Sequence, residues 1–228
     1  GTAVGLDAPR VMVLTGMPGA GKSRLAHTFI AQRWPGGAAR CLRLTLDADG
    51  AADRGQTVED LVARIADGLD LRVPASEALT HVRAVLGGRR TLLLIENVDT
   101  ENLQRAVGTL AAKLNGCAVL IAARRQHWAA DPGWRERQVH PLSPAGALAM
   151  LRAEIGAVTV AEHDLARLAA GVGRLPLALH IAAAQLRRGL SVDAFLRDLA
   201  AAGFSLPPAP GDAGLNDDAV RAILNSSF

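Results

Sequence analysis

Gly16-Met17-Pro18-Gly19-Ala20-Gly21-Lys22-Ser23 fits the spacing G-x-x-x-x-G-K-[ST] at every fixed position. Glycines at that spacing let the backbone curl so that successive N–H groups point at phosphate oxygens, and a helix N-terminus behind them adds partial positive charge. Lys22 then sets an ammonium between the β and γ phosphates, and the Ser23 hydroxyl is placed to bind Mg²⁺. Arg24 follows in the same turn and completes the candidate nucleotide contacts, Gly16 to Arg24. The chemistry expected of this segment is capture of ATP or ADP.

Such a site needs an acidic residue at the end of a neighbouring strand to hold the magnesium shell. The run Leu92-Leu93-Leu94-Ile95-Glu96-Asn97-Val98-Asp99 supplies Glu96 directly after four apolar residues. Glu96 is read as a metal ligand with Ser23, set against the plainer role of a strand-end carboxylate. Asn97 stands where a second carboxylate would polarise the attacking water. An amide orients water but accepts no proton, so hydrolysis is expected to be slow. Asp99 either shares in that role or is a solvated loop residue. Ala122-Ala123-Arg124-Arg125 ends another apolar run, and Arg124 is expected to reach a γ-phosphate unless the arginine pair is simply solvated. Lys22, Glu96, Asn97 and Arg124 are therefore the catalytic candidates.

These residues must be held by strands and helices, and the pattern supplies both. Residues 11–16 read as a buried strand, followed by a helix from Lys22 to about Trp34 with Leu25, Phe29 and Ile30 at helical spacing. A second strand is expected over 40–47, ending in Asp47. Thr57-Val58-Glu59-Asp60 opens a helix with a capping signature, and another runs from Ser76 to Leu86, where Gly87-Gly88 should stop it. Thr91 to Val98 is the near-continuous apolar run of a strand covered on both faces. A helix from Glu101 to about Leu114, a strand over 117–123 and a short strand near 136–140 complete the alternation, which predicts a parallel sheet with flanking helices. After Pro141 the pattern turns all-helical, with helices expected at about 144–155, 161–172, 175–188 and 191–202. Ser205 to Asp212 reads as a linker, and a last helix begins near Asp217.

Composition narrows the class. A chain of 228 residues with half of them hydrophobic and 21% charged suits one or two globular domains rather than a disordered chain. Alanine makes up nearly a fifth of it and tyrosine is absent, so the core must come from Leu, Val, Ala and Ile. No apolar run approaches the roughly 18 residues of a membrane span. Cys41 and Cys117 lack metal-ligand spacing and read as buried free thiols, which makes the cytoplasm the expected compartment. A net charge of +3 with no aromatic-interleaved basic patch argues against direct nucleic-acid binding.

In order along the chain, Gly16–Ser23, Leu92–Asp99, Ile121–Arg124, Pro141-Leu142-Ser143 and Gly173-Arg174-Leu175-Pro176-Leu177-Ala178-Leu179 resemble the motifs of the NB-ARC module, a member of the STAND class of P-loop ATPases. The resemblance implies a nucleotide-binding domain over about 1–139, a four-helix domain over about 140–204, and a truncated winged-helix domain begun within 205–228. It implies that Arg124 senses the γ-phosphate and that Pro176 packs near the adenine. Here Ala122-Ala123 replace the family's paired threonines, and Glu96 replaces the usual first aspartate. His27, His81 and His163 read as helix residues, mostly on the surface, and His127 as a loop residue. His140 and His180 are expected to be packed.

The expected function is an ADP/ATP-controlled molecular switch with slow hydrolysis, in a bacterial signalling or transcription protein. Its partners would be the nucleotide, the other domains of its parent and, when ATP replaces ADP, copies of itself. The alternative is a P-loop kinase passing phosphate to a small acceptor, with Arg89-Arg90 or Arg135 and Arg137 as lid arginines.

Overall fold

The computed structural model describes residues 10–46, 57–88, 91–114, 116–124, 127–128 and 133–201. Asp47, the pair Arg89-Arg90, Arg125 and the expected linker and winged-helix start within 205–228 lie outside the described residues. The elements are β1 (Val11–Thr15), α1 (Lys22–Arg33), a 3-10 turn (Gly37–Arg40), β2 (Cys41–Thr45), α2 (Val58–Gly68), α3 (Ala75–Gly88), β3 (Leu92–Val98), α4 (Glu101–Lys113), β4 (Ala118–Ala123) and β5 (Trp134–Gln138). Four helices follow: α5 (Pro144–Ile155), α6 (Glu162–Gly171), α7 (Pro176–Arg187) and α8 (Val192–Ala201). By contact density one unit takes in residues up to Gly16 together with Lys22–Gln138, and the other Met17–Gly21 with the chain from Val139.

The first unit is a five-stranded sheet in the order β2-β3-β4-β1-β5, with every pairing parallel. Parallel neighbours require crossover connections, which the helical segments between β1 and β4 provide. β3 lies between β2 and β4, and Leu92 through Ile95 are all buried, as its unbroken apolar run requires. β5 is an edge strand two residues earlier than expected, and its sequence Trp-Arg-Glu-Arg-Gln keeps charge on the open edge. Helix starts are locally encoded. Thr57 and Asp60 form a reciprocal capping box at α2, and Thr100 accepts from the Leu103 N–H at α4.

Three expectations are corrected. The helix α3 runs through Gly87 and Gly88, because neither adopts the left-handed backbone that would end it. On α1 the structure buries Ala26 and Ile30, while Leu25 is 49% and Phe29 42% exposed. Ala26 has no side chain beyond Cβ, so it lets α1 lie close to β4, which a leucine stripe would not. Of the histidines, His140 and His180 are exposed rather than packed, and His180 pairs with Glu154 at 2.7 Å.

The second unit packs its helices around Leu151, Leu168, Leu179, Ala182, Ala183, Phe195 and Leu199, all nearly fully buried. Ser143 caps α5 by accepting from the Gly146 N–H, and Pro144 follows at the first turn. Pro176 does the same at the start of α7. The two residues before Leu175, Gly173 and Arg174, have φ of 66° and 55°, and the Arg174 carbonyl accepts from the Leu142 N–H at 3.0 Å.

Candidate functional site

β1 is buried up to Thr15 and delivers the chain to Gly16 at the carboxyl edge of the sheet. The first residue of α1 is Lys22, whose Nζ donates to the Gly16 carbonyl at 2.7 Å. Lys22 thus spans the mouth of the loop that Gly16 opens. Burial pushes its pKa down to about 8, opposed by the negative Asp99 and assisted by the positive Arg124. A partly desolvated ammonium is costly to keep charged, and a polyphosphate would add anionic oxygens beside it.

Between Gly16 and Lys22 the loop backbone takes a path that side chains resist. Gly19 and Gly21 have φ of 75° and 92°, the left-handed region. Within the second unit this segment meets the start of α7: the Leu177 N–H donates to the Gly19 carbonyl at 3.3 Å, and Pro176 Cγ stands 3.7 Å from where a Gly21 Cβ would be. Ala20 is buried in that unit's core and Met17 packs against it, so these two expected nucleotide contacts also serve packing. Pro18 is half-buried, and Arg24 is exposed with its carbonyl accepting from Thr28.

Glu96 is one of two buried polar side chains among the described residues, the other being Thr15. Its Oε2 is 3.1 Å from His27 Nε2 and 3.0 Å from Arg43 Nη2, and its carboxylate also bonds the Ser23 side chain. Burial raises its pKa, but the hydrogen bonds from Ser23, His27 and Arg43 outweigh burial and hold it below the ordinary carboxylate range. Sequence reading passes over His27 and Arg43. The signals were spacing: His27 follows Ser23 by one helical turn, and Arg43 lies two positions before Thr45, which stands opposite Glu96 in the sheet register.

Beyond Glu96 the strand is irregular. Asn97 is exposed with φ of 62°, where the β3–β4 register shifts between Ile95 and Val98. Asparagine tolerates this backbone better than most residues, which accounts locally for its presence. Asp99 is paired with Arg124 Nη2 at 2.9 Å and lies close enough to Lys22 to raise its pKa. Lys22, Asp99 and Arg124 therefore form one charge cluster, and Ser23 with Glu96 a second, at the ends of β1, β3 and β4. In open parallel sheets ligands settle outside the carboxyl ends of strands, where strand order reverses. β1 here pairs with both β4 and β5, so the order reverses at this place.

Within the first unit the residues fit a nucleotide's phosphates: a desolvated lysine behind Gly16 and an arginine at a strand tip. The hydrogen-bonded pair Ser23 and Glu96 offers the hard oxygen donors that suit Mg²⁺. The family model for the NB-ARC domain matches residues 4–160, well over half of the chain. The chain belongs to the NB-ARC domain family. It is accordingly a nucleotide-binding module. No curated protein matches it. A Walker-type ATPase of Pyrococcus abyssi superposes with a TM-score of 0.55 at 14% identity, over 86% of this chain and 68% of its own, a likeness of fold. A STAND protein with a tetratricopeptide repeat sensor from Pyrococcus horikoshii gives a TM-score of 0.49 at 17% identity, over 76% of this chain. The NB-ARC chain spans only 27% of that protein's length. Pro176 and the rest of α7 lie beyond the family match. Arg135 and Arg137, the described members of the alternative kinase lid, sit in the edge strand β5.

Proposed function

We propose that this NB-ARC chain is the switch module of a larger regulatory protein: it holds ADP or ATP with Mg²⁺, hydrolyses ATP slowly, and presents different surfaces in the two states. The observation that carries the reading is the convergence of Lys22, Asp99 and Arg124 beside the Ser23–Glu96 pair. Lys22 would bind between the β and γ phosphates, giving up its bond to the Gly16 carbonyl. Arg124 would exchange Asp99 for a γ-phosphate, so its partner reports which nucleotide is present. Ser23 and Glu96 would hold the magnesium ion, which when bound neutralises charge on the β and γ oxygens. In hydrolysis, water attacks the γ-phosphorus as the bond to the bridging oxygen breaks, giving ADP, phosphate and a proton. Asn97 orients that water without taking its proton, whereas Asp99 is an ionised acceptor already engaged with Arg124. Slow turnover is what a timer requires, because the ATP state must outlast binding. A cytoplasmic, bacterial signalling or transcription setting, with nucleotide-dependent self-assembly, belongs to the same proposal.

The test has two parts. Mass spectrometry of nucleotide released on denaturing the purified protein should find ADP or ATP. Phosphate release from ATP should be slow and unchanged by small hydroxyl or carboxylate acceptors. Acceptor-dependent loss of the γ-phosphate would replace the switch with a kinase, and failure to bind either nucleotide would overturn both.

A further inference from the structure

We propose that Arg43 is a resident counter-cation for Glu96, competing with a divalent metal ion for that carboxylate and so lowering the site's affinity for the metal. The inference rests on nucleotide binding as proposed above. Glu96 is 4% exposed, and a buried carboxylate is costly unless it is both charge-paired and hydrogen-bonded. Its charge partner is Arg43, and its hydrogen bonds come from the protein's own side chains. Arg43 Nη2 at 3.0 Å and His27 Nε2 at 3.1 Å converge on the same oxygen, Oε2, while Ser23 bonds the same carboxylate.

The arrangement is dictated by register. Thr45 stands opposite Glu96, and Arg43, two residues earlier, points to the same face of the sheet. A diagonal neighbour of this kind lies about 7–8 Å away, a gap that a long side chain spans and a short one does not. Two elements, α1 and β2, thus aim side chains at one carboxylate on β3. The Arg43 side chain is 56% exposed, leaving the arginine room to swing outward when displaced. A divalent ion between Ser23 and Glu96 would meet that guanidinium as a like charge on a shared anion. Metal affinity should therefore be lower than Ser23 and Glu96 alone would give. Phosphate capture through Lys22 and the loop backbone should be indifferent to Arg43.

Mn²⁺ is titrated into ADP-saturated protein, with the free aqueous ion followed by electron paramagnetic resonance, and ADP affinity is measured by calorimetry in EDTA. Arg43→Met should bind Mn²⁺ roughly ten-fold more tightly, about 1.4 kcal/mol. Arg43→Lys, which keeps the charge, should stay near wild type, and ADP affinity in EDTA should be the same in all three. In a Glu96→Gln background Arg43→Met should change nothing, since the competition acts through the carboxylate. Arg43→Gln gives the same readout should the methionine variant lose its fold. Mn²⁺ affinity that is unchanged or weaker without the arginine overturns the inference while leaving ADP binding intact. A wild-type protein that binds no ADP with or without metal sinks the nucleotide reading, and this inference with it.

Discussion

Replacing Gly19 with alanine should weaken both the fold of the helical unit and the hold on nucleotide. Gly19 has φ of 75°, a conformation that costs an L-residue about 1–2 kcal/mol. A Cβ built there lies 3.2 Å from Leu177 Cβ, closer than the roughly 3.5–4.0 Å at which two carbons attract. Leu177 cannot rotate this contact away, because its Cβ is fixed by the backbone at the first turn of α7. The same residue's N–H donates to the Gly19 carbonyl at 3.3 Å, so moving apart strains that bond as well. A total loss of about 2 kcal/mol follows, which for a chain of this size lowers Tm by about 4–8 °C. Thermal melts of the ligand-free proteins measure it, and calorimetry with ADP should show weaker binding because the loop N–H groups shift with the backbone. Gly116→Ala is the control: its φ is 90° but an added Cβ meets nothing within 4 Å. A Gly19→Ala melt within about 1 °C of wild type would refute the argument. A loss no greater than that of Gly116→Ala would show that the contact with α7 contributes nothing.

Lys22→Ala should weaken ADP binding by at least about a hundred-fold, because charged pairs of this buried kind are worth several kcal/mol; wild-type affinity in calorimetry would show that the loop does not hold phosphate. Asn97→Asp should fold normally, since aspartate also tolerates the left-handed backbone, and should raise the rate of phosphate release several-fold by adding a proton acceptor. An unchanged rate would pass that role to Asp99. At α2, the Thr57 backbone and side chain hold the Asp60 carboxyl below its ordinary range. A lowered folded-state pKa adds stability that is present above the ordinary carboxylate range and lost as pH falls through the lowered value. Thr57→Ala removes the side-chain bond and keeps the backbone one, so the Asp60 pKa should rise part of the way toward its ordinary value in an NMR titration, and a pKa that does not move would show that the side-chain half of the capping box is absent in solution.

Local chemistry was legible in the sequence wherever a residue answers to its own backbone. The glycines of the loop, the capping box at Thr57, and Pro144 and Pro176 at helix starts each satisfy a requirement set within a few positions. The buried run Leu92–Ile95 likewise announced an interior strand, and the alternation of strands and helices announced the parallel sheet. What the sequence did not disclose are relations across the sheet. Helical spacing alone could not tell which side of α1 is buried, because Ala26 is chosen for closeness to β4 and its small size gives a weak apolar signal. Nor could it say that His27 and Arg43 serve Glu96, or that Asp99 holds Arg124. Those pairings span 69, 53 and 25 positions, and they exist only once strand order and register bring the ends of the elements together. A buried charge takes whichever partner the fold places within reach, and that choice is made by tertiary structure.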